Sequence, residues 1–125
     1  MNKFILIDTD VAINILRKKS EFIEKFTLLN RDYTICYSPI VIAEIYSGIF
    51  DKEREIVKNL FSFLKCLNID SEIGILAGEY ANRYKKAYNK ISLEDYLIAS
   101  TAKKYNCSLW TNNKRHYPME DINLI

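Results

Sequence analysis

The sequence predicts a three-layer α/β/α fold, in which a central parallel sheet of about four to five short strands lies between layers of helices. Three observations lead to this expectation. Short apolar segments alternate along the chain with longer segments of helical periodicity. The apolar segments are continuous, as in strands that are covered on both faces. Finally, 125 residues with 49% hydrophobic side chains can bury one core, so we expect a single domain over residues 1–125.

Five apolar segments are candidate strands. The clearest contain FILI, TICY and SLW, which predict strands over residues 3–7, 34–37 and 108–110. LNI at 67–69 and INLI at 122–125 are candidates for two more. Because helical segments separate these runs, a parallel sheet is favoured over a series of hairpins.

Helical patterns fill the segments between the strands, at about residues 10–18, 21–29, 39–47, 53–65, 71–89 and 93–105. Two of them have clear start signals. Ser38 is an N-cap residue followed by Pro39 at the first helical position, where the missing N–H of proline costs nothing. Ser92, with Asp95 three residues later, forms a variant of the capping box.

Composition excludes several classes of protein. No apolar run approaches the roughly 18 to 20 residues of a membrane span, and the N-terminus does not have the pattern of a signal peptide. We therefore expect an intracellular, cytoplasmic protein without membrane contact. The three cysteines form no CxxC pair, so neither a disulfide framework nor a zinc site is indicated, and we expect buried, reduced thiols. The formal net charge of +2 says little about partners.

Acidic side chains fall at the predicted ends of strands and starts of helices. Asp8 follows the first strand, Asp95 lies in the first turn of a helix, and the TNN segment at 111–113 follows SLW. In open parallel sheets, ligands bind at the carboxyl ends of strands, beside the point where the strand order reverses. Glu44 is flanked by apolar residues on its helix and is expected to point into a pocket or towards a partner, since burying an unpaired carboxylate is costly.

These acids suggest a chemistry. A cluster of Asp8, Glu44 and Asp95 could not stay fully ionised at neutral pH unless cations neutralised it. Hard oxygen ligands with open positions select Mg²⁺ or Mn²⁺, and two such ions roughly 3.5 to 4 Å apart are the known device for in-line attack on a phosphodiester. The residues therefore predict metal-assisted phosphodiester hydrolysis at one or two bound ions.

Simpler structural interpretations stand beside this one. Asp8 and Asp95 can each cap a helix, with or without a metal role, and for Asp10 a capping or supporting role is favoured over direct ligation. Thr111 and Asn113 could shape a turn after the strand.

The basic residues after this turn complete the candidates. Lys114 and Arg115 stand beside the predicted site and are candidates for contact with phosphate. His116 is expected to anchor a loop and not to act as a general base.

Four segments resemble one family. ILIDTDVAINILRK resembles the opening hhhDTNxLIxxLR of the PIN domain, and SPIVIAEIYSGI resembles its SxITxxELxxGI. ISLEDYLIASTAKKYNCSLWTNN resembles IxxxDxLIAATAxxxxxxLxTxN, and KRHY resembles the closing RHF. The chain as a whole is similar to a stand-alone PIN domain, and in particular to the VapC toxins of type II toxin–antitoxin pairs.

The resemblance carries implications beyond those of the residues. It implies that Asp8, Glu44 and Asp95 bind Mg²⁺ or Mn²⁺, and that Asn113 stands where many PIN nucleases have a fourth catalytic acid. Since an amide is a weaker ligand than a carboxylate, the number of ions stays open at one or two. The implied activity is that of an endoribonuclease acting on structured RNA, often a tRNA or ribosomal RNA loop. The resemblance also implies two partners: a second copy of the chain, in a homodimer, and a cognate antitoxin. The C-terminal segment of the antitoxin is expected to lie across the active-site groove. Toxin and antitoxin together would form a heterotetramer or a larger complex.

Three rival functions were weighed. A haloacid-dehalogenase-type phosphatase would use Asp8 and Asp10 as nucleophile and acid/base, but its hydroxyl motif precedes the late acidic motif, and here it follows Asp95. A receiver domain requires an acceptor Asp and a late Lys that the chain does not supply well. A degenerate PIN domain that binds RNA or serves as a scaffold without catalysis remains an alternative because of Asn113.

Overall fold

A single sheet organises the protein. The computed structural model describes residues 3–125, with strands β1 (Phe4–Ile7), β2 (Thr34–Tyr37), β3 (Lys65–Cys66), β4 (Ser108–Trp110) and β5 (Asn123–Leu124). The strand order is β3-β2-β1-β4-β5, and every neighbouring pair is parallel. The predicted α/β fold with a parallel central sheet is confirmed. The predictions of β2 and β4 match residue for residue, and β1 begins one residue later than predicted.

The described helices are α1 (Thr9–Leu16), α2 (Ser20–Asp32), α3 (Pro39–Tyr46), α4 (Arg54–Ser62), α5 (Ser71–Tyr84) and α6 (Leu93–Lys104), with short 3-10 turns at Asp51–Glu53 and Lys114–His116. All six predicted helices are present. They flank the sheet, and their apolar side chains join those of the strands in one core.

Several of the predicted boundaries are wrong. The helix predicted over 21–29 continues to Asp32, and the helix predicted over 53–65 ends at Ser62. The LNI segment at 67–69 is not a strand, because β3 ends at Cys66 and Leu67 is instead buried in the core beyond the strand, with its N–H donating to Tyr37 O. The helix predicted over 71–89 ends at Tyr84. Residues 85–90 are all exposed and have no apolar face to bury against the core, which removes the packing that sustains a helix.

The strand order reverses at β1. From β1 the chain moves outward to β2 and β3, and then returns to place β4 on the opposite side of β1. Ile5, Leu6 and Ile7 of this central strand are buried, which explains the continuous apolar run. Pairing continues past the strand, since the Asp8 N–H donates to Trp110 O at 3.0 Å. The residues that follow β1 and β4 are therefore neighbours at the reversal point.

Helix direction brings a second set of residues to the same edge. A helix that leads directly into a parallel strand runs antiparallel to it, so its N-terminus lies near the carboxyl end of the strand. The α6 helix turns into β4 within three residues, helped by Asn106 at φ 54°, a left-handed conformation that asparagine tolerates. The first turn of α6, which contains Asp95, is thereby placed at the edge where β1 and β4 end.

The cysteines are all free thiols, as expected. Cys36 and Cys107 are buried, but the expectation is wrong for Cys66, which is exposed on the short edge strand β3. None of the helices in residues 3–125 combines the length and the apolar content that a membrane crossing requires.

Candidate active site

Asp8 lies at the centre of the site. It is the N-cap of α1, and its Oδ1 accepts a hydrogen bond from the Thr9 N–H at 2.8 Å. Its Oδ2 accepts two more, from Thr111 Oγ1 at 2.8 Å and from the Tyr117 hydroxyl at 2.9 Å. The residue is only 5% exposed, and this burial raises the pKa of its carboxyl group, with a further increase from the negative charge of Asp95. The three hydrogen bonds oppose the increase because they stabilise the ionised form.

Asp95 combines a capping role with a place in the site. Its Oδ2 accepts from the Ser92 N–H at 3.1 Å, and its own N–H donates to Ser92 Oγ, so the predicted capping box is formed. The same Oδ2 lies 3.1 Å from His116 Nδ1, and Oδ1 lies 3.4 Å from the Tyr117 hydroxyl. One carboxylate therefore connects α6 to the segment that follows β4, and His116 anchors this segment as predicted.

Asp10 fastens α1 to the loop after β4. Its Oδ1 accepts from the Val11 N–H at 2.8 Å, and its Oδ2 accepts from the Asn112 N–H at 2.9 Å. Burial raises the pKa of this carboxyl group, and the charge of Asp8 raises it further. Each oxygen accepts a hydrogen bond from a backbone N–H, and the two contacts join α1 to the loop after β4, which is the arrangement expected of a supporting residue.

Glu44 reaches the site from α3. Its side chain is exposed, and Oε1 accepts a hydrogen bond from Thr9 Oγ1 at 2.6 Å. It also lines a groove of about 240 Å³ between α1, α3 and α4, together with Ile13, Arg17 and Ile49. The expected position in a pocket is found, although the apolar neighbours in the sequence do not enclose the carboxylate.

The TNN loop supplies a buried hydroxyl and an exposed rim. Thr111 is 2% exposed, and its Oγ1 accepts from the Asn113 N–H at 2.9 Å while donating to Asp8. Asn113, Lys114 and Arg115 are exposed. The pKa of Lys25 on α2 is lowered by burial and also by the charge of Lys114, so a second cation stands on this side of the site.

Sequence reasoning missed the part played by Tyr117. Its ring is 3% exposed, and its hydroxyl lies between Asp8 and Asp95. Burial and the charges of these two acids raise the pKa of the phenol, so it keeps its proton at neutral pH and acts as a donor. The available signal was the segment KRHY itself, which differs from the RHF pattern at its last position by a hydroxyl group.

The donors present suit a hard divalent cation, although the acids do not form a closed cage. Asp8 and Asp95 share the Tyr117 hydroxyl, while Glu44 accepts a hydrogen bond from Thr9, the residue that follows Asp8. Within residues 3–125, no three His, Cys, Asp or Glu side chains converge closely enough to form a complete metal site. The oxygen-only chemistry of the acids nevertheless fits Mg²⁺ or Mn²⁺, ions that retain water and need few protein ligands.

Comparison with known proteins identifies the family. The PIN domain matches residues 5–121. The chain belongs to the PIN domain family. It is 32% identical over 115 residues to Ribonuclease VapC19 of Mycobacterium tuberculosis, covering 91% of this chain and 92% of that relative. It is 33% identical over 114 residues to Ribonuclease VapC1 of Methanocaldococcus jannaschii, covering 90% and 78%. The resemblance of this PIN domain to VapC proteins is thereby confirmed.

Solved structures agree with this assignment. DNA-bound VapBC from Salmonella typhimurium superposes with a TM-score of 0.82 at 26% identity, covering 100% of this chain and 98% of the other. VapBC2 from Rickettsia felis, bound to a promoter DNA fragment, gives a TM-score of 0.84 at 22% identity over 98% and 97% of the two chains. The PIN domain described here therefore has the fold of the chains in those complexes along its whole length.

Proposed function

We propose that this PIN domain is the endoribonuclease toxin of a toxin–antitoxin pair and that it hydrolyses structured RNA, such as tRNA or ribosomal RNA loops, in the cytoplasm. The observation that carries the proposal is the pair of acids, Asp8 and Asp95, joined by one hydroxyl at the reversal point of the sheet. Relatives named Ribonuclease VapC support the reaction class. Residues 1–125 would act as one domain.

Asp8, Glu44 and Asp95 would hold Mg²⁺ or Mn²⁺, as one ion or two. When bound, such an ion lowers the pKa of a coordinated water and offsets the charge of the scissile phosphate. The burial of Asp8 close to Asp95 favours the binding of a divalent cation. Such a cation would stabilise the ionised form of a buried carboxylate that lies beside a second negative charge. Thr111 fixes the Asp8 carboxylate, and Asn113, at the exposed rim, would orient the phosphate or the attacking water.

The rim of the site would bind the RNA backbone. Lys114 and Arg115 are exposed directly after the TNN loop, and Lys25 adds a third positive charge from α2. Contacts between such cations and phosphates give affinity without reading the sequence, so the choice of RNA would depend on the shape of the groove and on unpaired bases.

A protein partner would regulate the site. The solved structures named above are complexes of VapB with VapC. We assign to this chain a homodimeric state and a cognate antitoxin, whose C-terminal segment would cross the groove at Glu44, in a heterotetramer or larger assembly. The apolar wall of this groove, with Ile13, Ile49 and Ile56, suits a partner segment with apolar side chains.

Cleavage of total RNA by the purified protein tests the reaction class. We expect fragments with Mg²⁺ or Mn²⁺ present and none after treatment with EDTA. Cleavage that persists in EDTA, or in Asp8→Asn, would contradict the metal-dependent mechanism. Tight RNA binding without cleavage under any metal would instead support the degenerate, non-catalytic alternative that Asn113 suggests.

Growth of cells that express the chain tests the toxin role. We expect growth arrest, relieved when a small gene next to that of the toxin is expressed with it. Unimpaired growth in several hosts, with an active nuclease in vitro, would assign the protein a housekeeping role.

A further inference from the structure

The Tyr117 hydroxyl lies between the two acids at the centre of the site. We propose that Tyr117 is a positioning residue, which holds Asp8 and Asp95 together in the metal-free protein and leaves one oxygen of each carboxylate available to a divalent cation. This inference rests on the proposed metal-dependent nuclease function. It assigns to Tyr117 a role that neither the helix caps nor the acids themselves provide.

The distances define what the hydroxyl can do. It lies 2.9 Å from Asp8 Oδ2 and 3.4 Å from Asp95 Oδ1. A phenol has a single proton, so the hydroxyl donates chiefly to Asp8 at the shorter distance and weakly to Asp95, as the long arm of a shared hydrogen bond. The Tyr117 ring is 3% exposed and is packed in the core, so its hydroxyl has a fixed position. If Asp8 and Asp95 moved apart, the contacts with this hydroxyl would be lost.

Counting hydrogen bonds shows which oxygens remain available. Each carboxylate oxygen has about two acceptor sites. Asp8 Oδ2 accepts from both Thr111 and Tyr117, whereas Oδ1 accepts only from the Thr9 N–H. Asp95 Oδ2 accepts from the Ser92 N–H and also faces His116 Nδ1.

The same asymmetry thus holds in both acids, because Oδ2 is occupied in each and Oδ1 retains capacity. Two carboxylates at one hydroxyl repel each other, and a neutral donor between them reduces this repulsion without adding a charge that a cation would have to displace. Tyr117 is suited to keep the pair in place before metal binds. Residues that orient metal ligands in this way typically change metal affinity or activity by about 10- to 100-fold when they are removed.

The test compares two tyrosines whose rings are equally buried and whose hydroxyls each meet a carboxylate. Tyr117→Phe removes the hydroxyl and keeps the ring. Tyr80→Phe is the control, because Tyr80 is also 3% exposed and its hydroxyl lies 3.1 Å from both carboxylate oxygens of Asp121, outside the acidic pair. The Asp121 side chain is 44% exposed and also pairs with Lys103, so the two hydrogen bonds differ in burial. A general loss from removing the hydroxyl of a core ring should appear in both variants.

Mn²⁺ binding to the RNA-free protein, measured by titration calorimetry, gives the main readout. We expect Tyr117→Phe to bind Mn²⁺ at least ~10-fold more weakly than wild type, and Tyr80→Phe to bind it unchanged. In cleavage assays at a fixed Mn²⁺ concentration, we expect a lower kcat for Tyr117→Phe with a similar KM for RNA. Equal Mn²⁺ affinity in Tyr117→Phe and wild type, or equal losses in both variants, would overturn the proposal.

Two further outcomes separate this inference from the proposed function. If wild type binds no Mn²⁺ and cleaves RNA in EDTA, the metal-dependent function itself fails and the inference fails with it. If Tyr117→Phe does not fold, the wild-type protein still gives an answer by NMR. The hydroxyl proton of Tyr117 should be protected from exchange and should shift on addition of Mg²⁺, and rapid exchange with water would overturn the proposal.

Discussion

Asp8 accepts three hydrogen bonds from three separate parts of the chain, at positions 9, 111 and 117. Each donor stabilises the ionised carboxylate, and burial opposes it. A buried carboxylate whose ionised form is stabilised by three donors is suited to bind a cation. The neighbouring Asp10, whose two oxygens each accept a hydrogen bond from a backbone N–H, is suited to hold a loop.

Amide substitutions should separate these two roles. Asp8→Asn replaces the charge that would bind the ion, so we expect kcat to fall by at least ~100-fold, equivalent to about 2.7 kcal/mol of lost charge stabilisation. Asp10→Asn keeps one oxygen as an acceptor, and we expect activity within about tenfold of wild type. RNA cleavage under matched conditions measures both. Equal losses in the two variants would show that the acids act as an equivalent pair.

Thr111 offers a second test at the scale of one residue. Thr111→Val removes a hydroxyl that donates to Asp8 and accepts from the Asn113 N–H. We expect the free energy of unfolding to fall by about 2 kcal/mol, as for a buried hydrogen bond to a charged group, together with a loss of kcat. Chemical denaturation and cleavage assays provide the measurements.

Thr101→Val is the control for this substitution. Thr101 is also buried, but its hydroxyl donates to Leu97 O within α6 and not to the site. This variant should keep its activity, and a comparable loss of activity would argue against a specific contribution from Thr111.

Helix starts, more than helix interiors, place the acids. Asp8 caps α1, and the capping box of Ser92 and Asp95 opens α6. Ser38 opens α3, the helix that carries Glu44. Each start is encoded by local chemistry, because the cap satisfies N–H groups that have no partner within the helix.

Removing a cap should weaken the fold more than the chemistry. We expect Ser92→Ala and Ser38→Ala each to lower the free energy of unfolding by about 1 kcal/mol. Ser92→Ala should retain most of its activity, because the backbone N–H of residue 92 still donates to Asp95. Denaturant unfolding and cleavage assays are the measurements. A large loss of kcat in Ser92→Ala without unfolding would show that its hydroxyl acts on the site directly.

An ion pair between helices should give stability a specific dependence on pH. Asp70 caps α5 and pairs with Lys104 at the end of α6, and this hydrogen bond from Lys104 holds the pKa of Asp70 below its usual value of 3.8. Because the pKa is lower in the folded state, the stabilisation is present above pH 3.8 and is lost as the pH falls through the folded-state pKa.

We therefore expect Asp70→Asn to lower the melting temperature near neutral pH. As the pH falls into the acid range, the melting temperature of the variant should decrease less steeply than that of wild type. Melting temperatures between about pH 2 and 7 measure this, because the loss occurs below pH 3.8. Asp51→Asn is the control, since Asp51 is exposed and pairs with Arg54 one turn away. An unchanged acid profile in Asp70→Asn would rule out this ion pair as a source of the pH dependence.

In the folded protein, the acidic side chains of the candidate site lie at one edge of the sheet. The repulsion between their negative charges opposes folding. A ligand that binds only the folded state raises stability in proportion to RT ln(1 + [L]/Kd). We expect Mn²⁺ at about 100 times its Kd to raise the free energy of unfolding of wild type by about 2.7 kcal/mol, and to raise that of Asp8→Asn far less. Thermal unfolding with and without the metal measures this. An equal increase in both proteins would indicate binding elsewhere.

At the scale of the molecule, the sequence was informative where local rules are strong. Continuous apolar runs predicted β2 and β4 to the residue and β1 to within one residue, and the caps predicted the starts of α3 and α6. A strand of two residues has too short a pattern for this, and the predicted strand began two residues after the start of β3. The helix α5 ends where its side chains no longer contact the core, and the helical periodicity of the sequence does not show that point.

The sequence predicted which residues belong to the candidate site better than it predicted how those residues are arranged. Asp8 and Asp95 lie together, whereas Glu44 is held through Thr9, a link that no spacing rule gives. The hydroxyl of Tyr117 was missed because a buried tyrosine late in a chain usually belongs to the core. Only the fold shows which carboxylates its oxygen reaches.

The contacts that complete the Asp8 environment cross 103 and 109 positions of the chain. During synthesis, Asp8 is therefore made about a hundred residues before the two hydroxyls that fix it. A partly translated or prematurely terminated chain lacks Thr111 and Tyr117 and carries an acid without its supports. The complete environment of Asp8 therefore cannot form until Tyr117 has been synthesised.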